Sequence, residues 1–178
     1  TKTNHFQYQE WVNAGYVNFS YQWKKVGIQS GLRAEHTQSD GYSLTLDQRL
    51  KRSYLSFFPS VFIQHKVSDA HALRYSYSRR IDRPNYGQLN PFIFYLDPYT
   101  YEEGNPNLQP QFTDNVELTY VFKDKLNLGV SYSRTNDYMA QITEQDDATS
   151  VTRAIQRNLE LFENYSINAS LPTQVTKK

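Results

Sequence analysis

Apolar and polar residues alternate one for one along most of this chain. Val17, Phe19, Tyr21 and Trp23 are separated by Asn18, Ser20 and Gln22. Leu73, Tyr75 and Tyr77 are separated by Arg74 and Ser76, and Leu126, Leu128, Val130 and Tyr132 by Asn127, Gly129 and Ser131. Successive side chains of a strand point to opposite faces, so a period of two describes strands with one apolar and one polar face. No stretch carries the three-and-four spacing, with caps, that a helix needs. The pattern predicts seven strands, at about 6–23, 26–37, 54–67, 71–80, 112–122, 126–138 and 158–171. Phe6 and Tyr8 are out of phase with Val17 and Phe19, which predicts a β-bulge near Ala14-Gly15. Pro59 is expected at the beginning of the third strand, where a missing N–H is tolerated.

The connections carry as much information as the strands. Lys24-Lys25, Ser68-Asp69-Ala70 and Lys123-Asp124-Lys125 read as tight turns. Between them the pattern leaves long connections at about 38–53, 81–111 and 139–157. Strict alternation of short and long has no cause in a soluble sandwich. It is the habit of a transmembrane barrel, with tight turns on the periplasmic side and long loops outside. Tyr21, Trp23, Tyr132 and Tyr138 near strand ends suit interfacial aromatic girdles. The fold class expected is therefore all-β, an antiparallel transmembrane β-barrel segment of about seven meandering strands. A soluble carbohydrate-binding β-sandwich remains the alternative, because the two faces read alike in both.

Composition narrows the function classes. Hydrophobic residues make up 38% of the 178, with 15 Tyr and 10 Phe against one Met. The mean hydropathy of -0.74 does not argue against a membrane, since a barrel strand shows lipid only every second residue. No apolar run is long enough for a transmembrane helix. With no cysteine there is no disulfide framework or thiolate metal site. A net charge of +1 gives no argument for a nucleic-acid partner. His5, His36, His65 and His71 fall on different strands or strand ends, and no nucleophile elbow or phosphate-cradling glycine loop is present. No enzyme, resident metal or cofactor is expected from these residues. The N-terminus does not read as a signal peptide. Thr176-Lys177-Lys178 is polar where bacterial barrels usually end on an aromatic strand residue, so the natural terminus is expected beyond it.

Residues 75–120 hold a set of motifs in order: Arg79-Arg80-Ile81-Asp82-Arg83-Pro84, Leu89-Asn90-Pro91-Phe92, Gly104-Asn105-Pro106-Asn107-Leu108 and Glu117-Leu118-Thr119-Tyr120. Upstream stand Gly31-Leu32-Arg33-Ala34-Glu35, followed by Gly41, and Phe57-Phe58-Pro59-Ser60. Together these resemble the outer-membrane β-barrel family related to TonB-dependent receptors, over nearly the whole chain. The resemblance implies a nutrient receptor of the Gram-negative outer membrane. Such receptors have a barrel of about twenty-two strands closed by an N-terminal plug domain, and import is driven through a periplasmic TonB protein. Implied partners are outer-membrane lipid and lipopolysaccharide, the receptor's own plug, TonB and an extracellular nutrient. No plug is visible here, and seven strands cannot close so wide a barrel, so residues 1–178 are expected to be a partial barrel domain. A passive outer-membrane barrel or surface-binding protein without energy coupling is the other reading within this architecture.

Site expectations fall on the 81–111 connection. Phe94, Tyr95, Tyr99 and Tyr101 are the ligand-contact candidates, because rings on an outer loop stack on sugars or apolar ligands. Arg79, Arg80 and Arg83 are rim candidates for pairing with lipopolysaccharide, a plug carboxylate or an acidic ligand, with ordinary rim ion pairs as the simpler account. Pro59, Pro84, Asn90, Pro91, Gly104, Asn105 and Pro106 are expected to shape the backbone, with positive φ as the reason for the glycine.

Overall fold

The computed structural model describes residues 5–172. Seven long strands follow the alternating segments: β1 (Phe6–Trp23), β2 (Val26–Ser43), β3 (Gln48–Lys66), β4 (His71–Asp82), β7 (Gln111–Phe122), β8 (Leu126–Asp146) and β9 (Val151–Ser170). The connection between β4 and β7 adds a one-turn helix, α1 (Tyr86–Leu89), and two short strands, β5 (Ile93–Tyr95) and β6 (Thr100–Glu103). The described strands form a single sheet in the order β1-β2-β3-β4-β7-β8-β9-β6-β5. The long strands meander antiparallel, while β6 runs parallel to β9. The sheet is open: among the described residues β1 pairs only with β2. One sheet with no second sheet packed on it is not a sandwich, so the soluble β-sandwich alternative falls on geometry.

The strands overrun the lengths read from sequence. Those of β1, β2, β3, β8 and β9 have 18 to 21 residues, against about 9–11 needed to cross a bilayer. The expected long connections at 38–53 and 139–157 are thereby reduced to residues 44–47 and 147–150. Alternation fades there because both faces of these outer hairpin ends carry mostly polar residues, while the backbone ladder goes on unbroken. Only 83–110 remains a true long connection.

Two backbone expectations fail. The register of β1 on β2 runs without a break from Phe6↔Ser43 to Trp23↔Val26, so there is no bulge at Ala14-Gly15. The apparent phase change arises because Phe6 and Tyr8 belong to the polar face, with Glu10, while Val17, Phe19, Tyr21 and Trp23 belong to the other. Pro59 lies in the middle of β3, not at its beginning. It is tolerated because pairing with β4 starts one residue later, at Ser60↔Ser78. The Lys123-Asp124 turn carries positive φ at both residues, 52° and 54°, as a type I′ hairpin requires.

The register aligns the apolar face into rows. Leu73, Tyr120, Leu128 and Ala169 lie across from one another, as do Tyr75, Leu118, Val130 and Ile167, and then Tyr77, Val116, Tyr132 and Tyr165. Ile167 is 86% exposed, and among the described residues nothing covers this face. The next row is charged with alternating sign: Arg79, Asp114, Arg134, Glu163. Tyr77 donates from its hydroxyl to Asp114 at 2.7 Å, and Tyr132 donates to Glu163. Each tyrosine thus keeps its ring in the apolar belt and its hydroxyl at the charged border, the arrangement of an interfacial girdle.

Candidate functional site

The 83–110 connection folds back over the polar face of β1, β2 and β3. Arg83, just past the end of β4, fixes its start. Its Nη2 donates to Glu35 at 2.6 Å and to the Thr37 hydroxyl at 3.0 Å, and its Nε lies 3.7 Å from Glu10. Glu35 is only 6% exposed and also pairs with Arg33 at 3.2 Å. Period-two geometry explains the meeting, since Glu10, Glu35 and Thr37 all occupy polar-face positions of adjacent strands. Pro84 is buried behind Arg83.

Helix α1 follows with a capping box: the Asn85 side chain accepts from the Gln88 N–H, and Gln88 accepts from the Asn85 N–H. Asn90 ends it in an extended conformation, which the following Pro91 favours. Tyr86 ties the turn to β1 through the Phe6 carbonyl at 3.0 Å.

The return limb is held from three sides. Asn105 donates from its backbone N–H to Gln88 O and from its side chain to Gln156 O at 3.0 Å, and its side-chain oxygen accepts from the Asn107 N–H. Arg52 of β3 donates to the carbonyls of Leu108 and Pro106 at 2.5 and 3.0 Å. Asn158 of β9 both donates to and accepts from the backbone of Gln109. Leu108 is fully buried beneath these bonds. Gly104 does not carry a positive φ, contrary to expectation. Its role is close approach: a Cβ there would lie 2.1 Å from the Asn90 carbonyl oxygen and 2.9 Å from that of Gly87. Where β7 begins, the Gln111 side chain accepts from the Met139 N–H, and β8 kinks through Asp137 at φ 54°.

The aromatic candidates lie on the β5–β6 hairpin. Phe94, Tyr95 and Tyr99 are exposed, Tyr99 by 63%, and Tyr95 packs on the half-buried Tyr101 with centroids 5.8 Å apart. The Asp97 carboxylate accepts from the Tyr99 N–H at 2.7 Å, which together with Thr100 holds its pKa below the ordinary value and fixes the tip. The hairpin is anchored at its far side, where Thr100–Glu103 pair with Thr152–Ile155 of β9 and Arg153 reaches Glu103 at 3.5 Å. The three arginines part company. Arg79 stands on the apolar side with its guanidinium over Phe112, Arg80 is exposed on the polar side, and Arg83 is internally paired as above.

Between the limbs and the polar face of β1–β3 lies a cleft of about 260 Å³. Tyr8, Tyr54, Arg52, Arg83, Leu89 and Pro110 are among the residues that line it. Sequence reading missed this cleft because its walls come from four separate segments. The one available signal was the pair of aromatic residues, Phe6 and Tyr8, standing in the polar phase of the first strand.

Comparison with known proteins places this geometry. The model of the outer membrane protein β-barrel family matches residues 1–178. Among solved structures the chain is similar to the siderophore receptor PirA from Pseudomonas aeruginosa, with 14% identity and a TM-score of 0.59, covering 98% of this chain and 41% of that one. It is similar to the hemophore receptor HasR of Serratia marcescens, solved with its hemophore HasA and heme (14% identity, TM-score 0.68, 90% of this chain and 32% of that one). It is also similar to the copper transporter OprC (15% identity, TM-score 0.63, 93% of this chain and 27% of that one). At these identities the likeness is one of fold, and the chain spans less than half the length of each of these proteins. A search of curated protein sequences finds no match. The uncovered apolar belt, its girdle and the open meander are the wall of a β-barrel in the Gram-negative outer membrane, and the chain belongs to the outer membrane protein β-barrel family.

Proposed function

We propose that this chain is part of the barrel of a TonB-dependent receptor that binds a scarce nutrient at its outer loops and imports it without covalent chemistry. The observation that carries this reading is the 83–110 connection, a long loop that is folded, anchored at several points and laid over the polar face instead of merely joining two strands. The structures it resembles include receptors for siderophores and a hemophore, and a copper transporter, which supports a nutrient of that general kind. In this reading residues 1–178 are a partial barrel domain. The short turns face the periplasm, the β5–β6 hairpin lies outside, and Phe94, Tyr95, Tyr99 and Tyr101 contact the ligand. Arg80 faces the lumen and its plug, and Arg79 faces lipopolysaccharide.

The test uses the full-length protein that carries this chain, in its host. Cells lacking it are expected to lose growth on one member of a panel of limiting ferric siderophores, heme and copper. Uptake is expected to stop when the proton-motive force is collapsed. Uptake that survives the collapse would favour a passive barrel without energy coupling. A cysteine at Tyr99 is expected to react with an impermeant reagent in intact cells, and reaction only after permeabilisation would reverse the orientation.

The belt makes a separate expectation. Val130→Arg, in the middle of the apolar rows, costs about 2–4 kcal/mol where it meets the bilayer midplane, whereas Ser131→Arg on the polar face is tolerated. Outer-membrane yield of the heat-modifiable band reads the difference. Equal yields would place the belt away from lipid.

A further inference from the structure

The charges around the cleft balance, except for one. Arg33 and Arg83 are matched by Glu35 and Glu10, and Arg49 by Asp40. Arg52 is half-buried, and among the described residues no carboxylate pairs with it; its two hydrogen bonds go to the neutral carbonyls of Leu108 and Pro106. Burial pulls its pKa below the ordinary value, and only the hydroxyls of Tyr8 and Tyr54 work against that. A guanidinium stays charged under any physiological condition, so a partly desolvated one without a counter-charge carries a cost that an anion would relieve. The rest of the wall mixes apolar residues, Leu89, Pro84 and Pro110 among them, with polar ones; its one carboxylate, Glu10, is taken up by Arg83 at 3.7 Å. At about 260 Å³ the space falls just under the roughly 300–1,000 Å³ of drug-sized sites, room for one acid group and a ring-sized apolar body.

We propose that this cleft is a binding site for a small organic carboxylate, or for the carboxylate-bearing end of a larger ligand, with Arg52 as its charge partner and the hydroxyls of Tyr8 and Tyr54 beside it. Arg52 has five N–H donors and spends two of them on the loop, which leaves donors for a carboxylate oxygen. The proposal deepens the receptor reading by naming a ligand class, and it rests on that reading only for what the site serves.

The experiment is saturation-transfer NMR on the full-length protein in detergent, with benzoate as probe and benzamide as its neutral isostere. Benzoate is expected to receive saturation and benzamide to receive little. Arg52→Gln is expected to weaken benzoate at least about tenfold, the value of a charge-assisted hydrogen bond, while Arg52→Lys retains most of it. Tyr99→Ala, outside the cleft, is expected to bind benzoate as the unaltered protein does. The heat-modifiable band confirms that each variant folds. Equal saturation of the two probes, no binding of either, or benzoate binding unaffected by Arg52→Gln would each overturn the proposal. Import plays no part in this readout, so a passive barrel that binds benzoate through Arg52 would sink the receptor reading and leave the site standing.

Discussion

Arg83→Met in the full-length protein is expected to release the outer connection from the barrel wall. The substitution keeps much of the side-chain volume but leaves Glu35, 6% exposed, without its closest cation. Removing one partner of a buried ion pair costs about 3–5 kcal/mol when the remaining charge is stranded; here Arg33 stays 3.2 Å from Glu35, so the loss is that of a charge-assisted hydrogen bond, about 1.5–3 kcal/mol. That corresponds to an increase of about 10- to 150-fold in the population with the connection open. Limited proteolysis of intact cells reads it as faster cleavage within 83–110. The double variant Glu35→Gln, Arg83→Met removes the buried charge that has lost its closer cation and is expected to recover part of the resistance. If the single and double variants are cleaved alike, the ion pair does not hold the connection.

The second large effect is expected from Gly104→Ala. A Cβ placed 2.1 Å from the Asn90 carbonyl and 2.9 Å from that of Gly87 meets backbone, not a flexible side-chain end that can swing away. The two limbs of the connection must separate, and the Asn105–Gln88 bond between them goes with the move. Overpacking of this kind costs about 1–3 kcal/mol. Gly15→Ala is the control, since nothing lies within 4 Å of a Cβ there. Proteolysis of the connection and yield of the folded band compare the two. Equal behaviour would mean that the limbs approach less closely than described.

The strands were legible because one face of each must be apolar, and Leu73, Tyr75 and Tyr77 advertise that at a glance. Their outer ends were not. Gln38 to Ser43 and Gln48 to Ser53 are paired residue for residue, yet a hairpin whose inner face meets the connection through polar residues and whose outer face is polar too leaves no period to read. The same blindness produced the false bulge, since Phe6 and Tyr8 are aromatic residues on the face that sequence logic reserves for polar ones. Among the candidate residues, the motif positions were found and their partners were not. Nothing in Arg83 alone points to Glu35, 48 residues away, or in Asn105 to Gln156. The cleft lies further from view, because it exists only once β1, β2, β3 and the connection are brought together.

The parallel pairing of β6 with β9 fixes an order of assembly. The loops joining β1 to β2, β2 to β3 and β3 to β4 are only a few residues long, cheap to close in entropy, so these pairings need nothing from distant parts of the chain. The connection cannot finish in its turn. Thr100–Glu103 need Thr152–Ile155, and Asn105 and Gln109 need Gln156 and Asn158, all on a strand some fifty residues further along the chain. The outer cover of the wall is thus the last part to set, after the strands that flank it are already in place.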